Sequence, residues 1–138
     1  MKYRYTSFFP PDRTLKFIKK SIVSIEVFGP KDSKNFDALV DSGADCSLFN
    51  IQVAEVLGID LSKARPARFT GISGQIDGYR LEKIKIKVDG LNESIEIPVC
   101  FIESPTVSLL LGQEGFFDQY RIRFEKDHDT FEITPAKK

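Results

Sequence analysis

The chain has 138 residues, 41% hydrophobic and 29% charged, with twenty Lys and Arg set against twenty Asp and Glu. That is the make-up of one globular domain, long enough to bury a core without disulfide or metal staples. The balanced charge excludes an electrostatic case for a nucleic-acid or membrane partner, and no apolar run approaches the length of a membrane span.

Residues 1 to 19 hold short apolar stretches and Pro10-Pro11 but no clear pairing partner, so they read as an N-terminal arm on a single domain spanning 1 to 138. They lack the uninterrupted apolar core of a signal peptide, which points to the cytoplasm. Ser21 to Phe28, rich in β-branched residues and stopped by Gly29-Pro30, predicts a strand. A polar loop at 31–35 and a returning strand at 36–40 follow, and that strand runs straight into Asp41. Ile51 to Leu57 predicts a short helix, with Asn50 as its N-cap and Gly58 as its stop. Residues 81–88 and 94–102 read as two strands around Gly90, with Asp77-Gly78 and Asp89-Gly90 at turns. A second short helix is expected over 113–119. Period-two alternation at 121–125 and 130–134, around the turn Lys126 to Asp129, predicts a C-terminal hairpin. The fold class is therefore all-β with two short helices.

Few residues offer metal chemistry. There is one histidine, His128, in a predicted turn, and two cysteines, Cys46 and Cys100. No metal and no cofactor is expected. Both thiols are expected to be reduced, with Cys100 a small core residue.

One stretch carries chemistry. ALVDSGADCSLF, residues 38 to 49, ends an apolar strand in a carboxylate, a hydroxyl and a glycine. Asp-Ser-Gly alone is ordinary turn chemistry. The longer string Asp41-Ser42-Gly43-Ala44-Asp45 arises by chance on the order of once in 10⁴ chains of this size. A carboxylate can take a proton from an attacking water, a hydroxyl can lock a loop, and a glycine lets another backbone come close.

Four segments in this order resemble the retroviral-type (retropepsin-like) aspartic proteases, as a cellular (bacterial or archaeal) member. They are Asp41 to Leu48, the glycine-flanked Gly71-Ile72-Ser73-Gly74, the loop opening at Pro105-Thr106, and Leu110-Leu111-Gly112. The likeness covers roughly residues 21 to 125. It implies a closed β-barrel of acid-protease type, one lobe per chain. Asp41, Ser42 and Gly43 would be the catalytic residues. Ala44, Asp45, the flap residues Gly71, Ile72, Ser73 and Gly74, and the groove residues Thr106, Val107, Ser108 and Leu110 would bind a peptide or protein substrate. This chain has a single Asp-Ser-Gly, so the second aspartate must come from a second copy, in a homodimer.

Two departures stand out. Viral members carry an arginine just after the Leu-Gly element, paired with the aspartate at the position of Asp45; here Gln113 stands there. The chain also continues past the short helix. Residues 120–138 are expected to form a dimer interface packed by Ile122, Phe124, Phe131 and Ile133. The rival readings are a catalytically silent peptide-binding or dimerisation module of the same fold, and a small-ligand-binding β-barrel.

Overall fold

A computed structural model describes residues 1–9, 18–71, 74–104 and 109–137. Its strands are β1 (Lys2–Arg4), β2 (Thr6–Phe8), β3 (Ile18–Lys20), β4 (Ile22–Phe28), β5 (Ser33–Val40), β6 (Ser47–Asn50), β7 (Arg65–Gly71), β8 (Gly74–Val88), β9 (Ile95–Ile102), β10 (Leu109–Leu111), β11 (Tyr120–Glu125) and β12 (Thr130–Pro135). One α-helix, α1, spans Ile51–Leu57, and short helical turns occupy Gln113–Phe117 and Lys126–His128.

Seven strands form one sheet in the order β4-β5-β10-β6-β9-β8-β7. A further pairing of β4 with β8, from Ile25 opposite Val88 to Val27 opposite Ile86, closes six of them into a barrel. Strand alternation decides what fills it. Val23, Ile25 and Val27 of β4, Ile84, Ile86 and Val88 of β8, and Ile97, Val99 and Phe101 of β9 are buried, as every second residue of each strand turns inward. Phe49 and Phe101, both fully buried, meet edge to face with centroids 5.9 Å apart. Each such side chain contributes about 1.5–3 kcal/mol on burial. The exposed ion pair Arg68–Asp77 is worth about 0–1 kcal/mol. The core therefore holds the barrel, and the surface pairs do not.

Residues 81–88 are only the second half of β8, which runs from Gly74 through Gly78 without a turn. Gly78 permits this: a Cβ there would stand 2.9 Å from Ile102 Cγ2 and 3.0 Å from the Phe101 carbonyl oxygen, so the strand crosses β9 closely. An irregularity between Leu81 and Ile84 separates its two pairing registers with β9. Asp77 and Gly78 are thus strand residues, not the turn that their types predict. The short helix expected at 113–119 is present but kinked. Its backbone leaves helical geometry at Glu114 and at Gly115, whose φ is +85°.

The N-terminus has partners that no local pattern announced. β1 pairs antiparallel with β12, which pairs on its other side with β11. β2 pairs with β3. Phe131 and Ile133 are 1% and 0% exposed in the chain's own core, and Ile122 packs against it. Phe124 stays 41% exposed.

Candidate active site

Asp41 is the first residue beyond β5. The last residue of that strand, Val40, donates its N–H to the Ser21 carbonyl (2.9 Å), and the buried Ser21 hydroxyl donates back to the Val40 carbonyl (2.8 Å). The strand end is thereby pinned. Asp41 then turns. Its Oδ1 accepts the Gly43 N–H (2.9 Å), and its carbonyl accepts the Ala44 N–H (3.2 Å). An aspartate that caps its own turn in this way holds one carboxylate oxygen in a fixed direction. Asp41 is half-buried, while Ser42, Gly43 and Asp45 are exposed. A Cβ on Gly43 would sit 3.3 Å from Asp41 Oδ1, so any other residue there would crowd the carboxylate.

The loop rests on the Leu-Leu-Gly element. β10 is inserted between β5, to which it is parallel, and β6, to which it is antiparallel. The chain from Asp41 to Cys46 must therefore pass over the end of β10. Four bonds tie it down: Asp41 N–H to the Leu111 carbonyl (2.9 Å), Gln113 N–H to the Ala44 carbonyl (2.8 Å), Glu114 N–H to the Asp45 carbonyl (2.9 Å), and Gln113 Nε2 to the Ser42 carbonyl (2.8 Å). Gly112 lets the two segments touch. A Cβ on it would lie 2.6 Å from the Cys46 carbonyl carbon and 2.8 Å from the Ala44 oxygen. Its N–H is satisfied by Ser47 Oγ (3.1 Å), a serine with no exposed surface.

Of the other residues singled out in the sequence, Gly71 and Gly74 face one another at the end of the β7–β8 hairpin, where Gly74 has a φ of +115°. Leu110 is half-buried and lies in register between Leu39 and Leu48, which are half-buried too. Ile72, Ser73, Pro105, Thr106, Val107 and Ser108 lie outside the described residues. Asp77 is ion-paired with Arg68 across the hairpin, and Asp89 offers its carbonyl to the Tyr3 hydroxyl (2.6 Å). Both have structural tasks.

Sequence reasoning overlooked four residues. Ser21 and Ser47 are buried polar groups in apolar surroundings, and a serine inside a strand pattern is the only signal they give. Arg80 and Glu114 form an ion pair beside the loop, and Arg80 also holds Glu82 at 2.9 Å. These two carboxylates, Glu82 first, push the Arg80 guanidinium above its ordinary range, and Arg80 in turn lowers Glu82. Arg80 pairs in register with Cys100, which pairs on its other side with Leu48. Cys46, half-buried, and Cys100, buried, are both free thiols. Interaction with Cys100, together with burial, raises the Cys46 thiol, whereas interaction with Cys46 and the nearby Arg80 lower Cys100.

Among the described residues no group of three or more His, Cys, Asp or Glu is placed to hold a metal, and no helix is long and apolar enough to cross a membrane.

A closed barrel whose aspartate loop is crossed from behind by an apolar-apolar-Gly strand defines the acid-protease type of fold. A family model described as aspartyl protease matches residues 23–114, two thirds of the chain. The protein belongs to the retropepsin-like aspartyl protease family. No match was found among curated proteins.

Proposed function

We propose that the protein is a homodimeric aspartic endopeptidase in which each subunit supplies one Asp41. The observation that carries this reading is the placement of Asp41: one carboxylate oxygen is fixed by Gly43, on a loop with an exposed tip that is braced from behind by residues 111–114. Membership of the family supports peptide hydrolysis in general. The single Asp-Ser-Gly in the sequence supports the dimer, since the reaction needs a pair of carboxylates.

Two facing carboxylates cannot both ionise easily and share one proton. The ionised member takes a proton from a bound water as the water attacks the scissile carbonyl. The protonated member polarises that carbonyl and then protonates the leaving amine. Ser42 braces the two loops across the twofold axis, Gly43 admits the substrate backbone, and Ala44 and Asp45 bind it near the rim. Gly71, Ile72, Ser73 and Gly74 form a flap that closes over the peptide and excludes water. Thr106, Val107, Ser108 and Leu110 line the groove. Free thiols fit the reducing cytoplasm.

The test compares wild type with Asp41→Asn on a diverse peptide library across pH, with mass measured in solution. Cleavage should follow a bell on the acidic to near-neutral side and vanish in the variant while the dimer persists. A stable wild-type dimer that cleaves nothing at any pH favours the silent peptide-binding module. High activity well above pH 8, where both carboxylates are ionised, would overturn the shared-proton mechanism.

A further inference from the structure

We propose that Arg80 is a positioning residue for the Asp41 loop: it fastens Glu114, which holds the Asp45 carbonyl, to the base of the β7–β8 hairpin. The effect on cleavage rests on the endopeptidase reading; the fastening does not.

Arg80 stands on β8, in register with Arg65 of β7 on one side and with Cys100 of β9 on the other. β8 parts from β9 two residues earlier, where Gly78 faces Ile102, the last residue of β9. From Asp77 to Gly74 its partner is β7. Arg80 therefore sits at the foot of the hairpin whose far end carries Gly71 and Gly74.

Three donors fix the side chain. Nε and Nη2 donate to the two carboxylate oxygens of Glu82 (2.9 and 3.1 Å), and Nη1 donates to Glu114 Oε1. Two parallel bonds to one carboxylate hold a guanidinium plane in one orientation, so Glu82 sets the direction of Nη1. Glu82 has a second task. Arg65 and Arg80 are like charges directly opposite on neighbouring strands, which repel. Glu82 Oε1 lies 3.3 Å from Arg65 Nη2 and so serves both. The Arg80 side chain is 16% exposed, against 64% for Arg68 in its single contact with Asp77. A screened pair of mobile side chains positions little; a forked, mostly buried arginine within a chain of four charges keeps its geometry.

Glu114 passes this order to the loop. Its backbone is extended, with φ −69° and ψ 121°, and the next residue, Gly115, is held by its N–H on Asp118 Oδ2 (3.0 Å). From that position the Glu114 N–H reaches the Asp45 carbonyl (2.9 Å), while its carboxylate faces Arg80. One residue thus joins the hairpin base to the loop that carries Asp41. Arg80 acts through Glu114 and not on the reacting atoms. When Arg80 is removed, the Glu82 and Glu114 carboxylates, 59% and 47% exposed, can turn to water, so the fold survives and local order is lost.

The experiment uses the full-length protein and reads amide hydrogen exchange by NMR, denaturant unfolding and peptide-cleavage kinetics. Arg80→Met keeps the apolar stem and removes the donors. We expect the Glu114 amide to exchange about 10-fold faster, with the Ile25 and Val27 amides of β4 unchanged. We expect kcat to fall about 10-fold with KM within about 2-fold of wild type. Arg80→Lys, a point charge that cannot span both carboxylates, should recover only part of the loss. Arg80→Met combined with Glu114→Ala should be no worse than the more impaired of the two single variants, because both act through one tie. Unchanged exchange at Glu114 would overturn the fastening. Faster exchange in β4 as well, with a lower denaturant midpoint, would show a general structural role instead. A fall confined to KM, or additive losses in the double variant, would overturn positioning through Glu114. A wild-type protein that cleaves nothing would remove the endopeptidase reading and the kinetic effect with it, and the exchange at Glu114 would still decide the fastening.

Discussion

The Cys46 carbonyl group lies directly against the α-carbon of Gly112, with room for a hydrogen and not for a methyl group. This contact lets the Asp41 loop settle on β10. It also makes position 112 the least tolerant place near the site. Gly112→Ala would force backbone against backbone, which no rotamer change can relieve. We expect a loss of at least about 1–3 kcal/mol, read as a lower denaturant midpoint at unchanged slope. A variant as stable as wild type would contradict the packing described.

Gln113 is the residue that binds the loop through both its main chain and its side chain, at the carbonyls of Ala44 and Ser42. Where viral relatives use an arginine for an ion pair, this chain uses an amide to hold main-chain carbonyls. Gln113→Ala keeps the main-chain bond and loses the other. Its cost in stability should be about 0.5–1.5 kcal/mol, because the exposed Ser42 carbonyl can turn to water. Under the endopeptidase reading, cleavage should fall by about 10- to 100-fold, chiefly in kcat, since the loss is one of positioning. Gln113→Glu, which has no donor, should behave like the alanine variant. A fall confined to KM would count against a positioning role.

Ser47 Oγ is the acceptor for the Gly112 N–H, and both groups are buried. Ser47→Ala leaves that N–H without a partner and should destabilise the fold by about 1–3 kcal/mol. Ser47→Thr restores the oxygen and should recover part of the loss. Equal losses in the two variants would show that the hydroxyl bond contributes nothing.

Tyr3 ties the first strand to the barrel. Its ring stacks on Phe131 at 5.4 Å, and its hydroxyl donates to the Asp89 carbonyl. Burial first, and the Asp89 carboxylate second, push its pKa from 10.0 up to about 12. The folded state therefore keeps its proton at a pH where the unfolded chain has released it. Stability from this group is complete below pH 10.0 and is lost as pH climbs toward 12. Tyr3→Phe should be about 1 kcal/mol less stable at neutral pH, and the gap to wild type should close across that alkaline window. The measurement is the difference in thermal midpoint between the two proteins as a function of pH. A constant gap would rule out the linkage.

Several elements could be read from the chain because their causes are local. Helix α1 runs over Ile51–Leu57 as expected, since Asn50 Oδ1 accepts the Gln52 N–H and Gly58 closes the helix at a φ of +68°. The C-terminal hairpin, β11 with β12, agrees with the alternation at 121–125 and 130–134 to within one residue at each end. The expectations that changed are those in which a distant contact overrides a local preference. Gly78 reads as a turn, yet the close crossing over Ile102 keeps it in an extended strand. Gln113 to Gln119 reads as a regular helix, yet Gly115, crowded against Ile97 and Pro98, puts a kink in it.

By itself the sequence determined that the chain is a mostly-β aspartyl protease relative with one Asp-Ser-Gly, because a strand ending in that turn is a short-range pattern. Only the tertiary structure decided that β10 would thread between β5 and β6, that β1 would find β12, and that Arg80 would meet Glu114. These are pairings between residues far apart in the chain. Their free energy comes from closing the barrel around Phe49, Phe101 and Leu111, and no window of local periodicity records which strands will be neighbours when it closes.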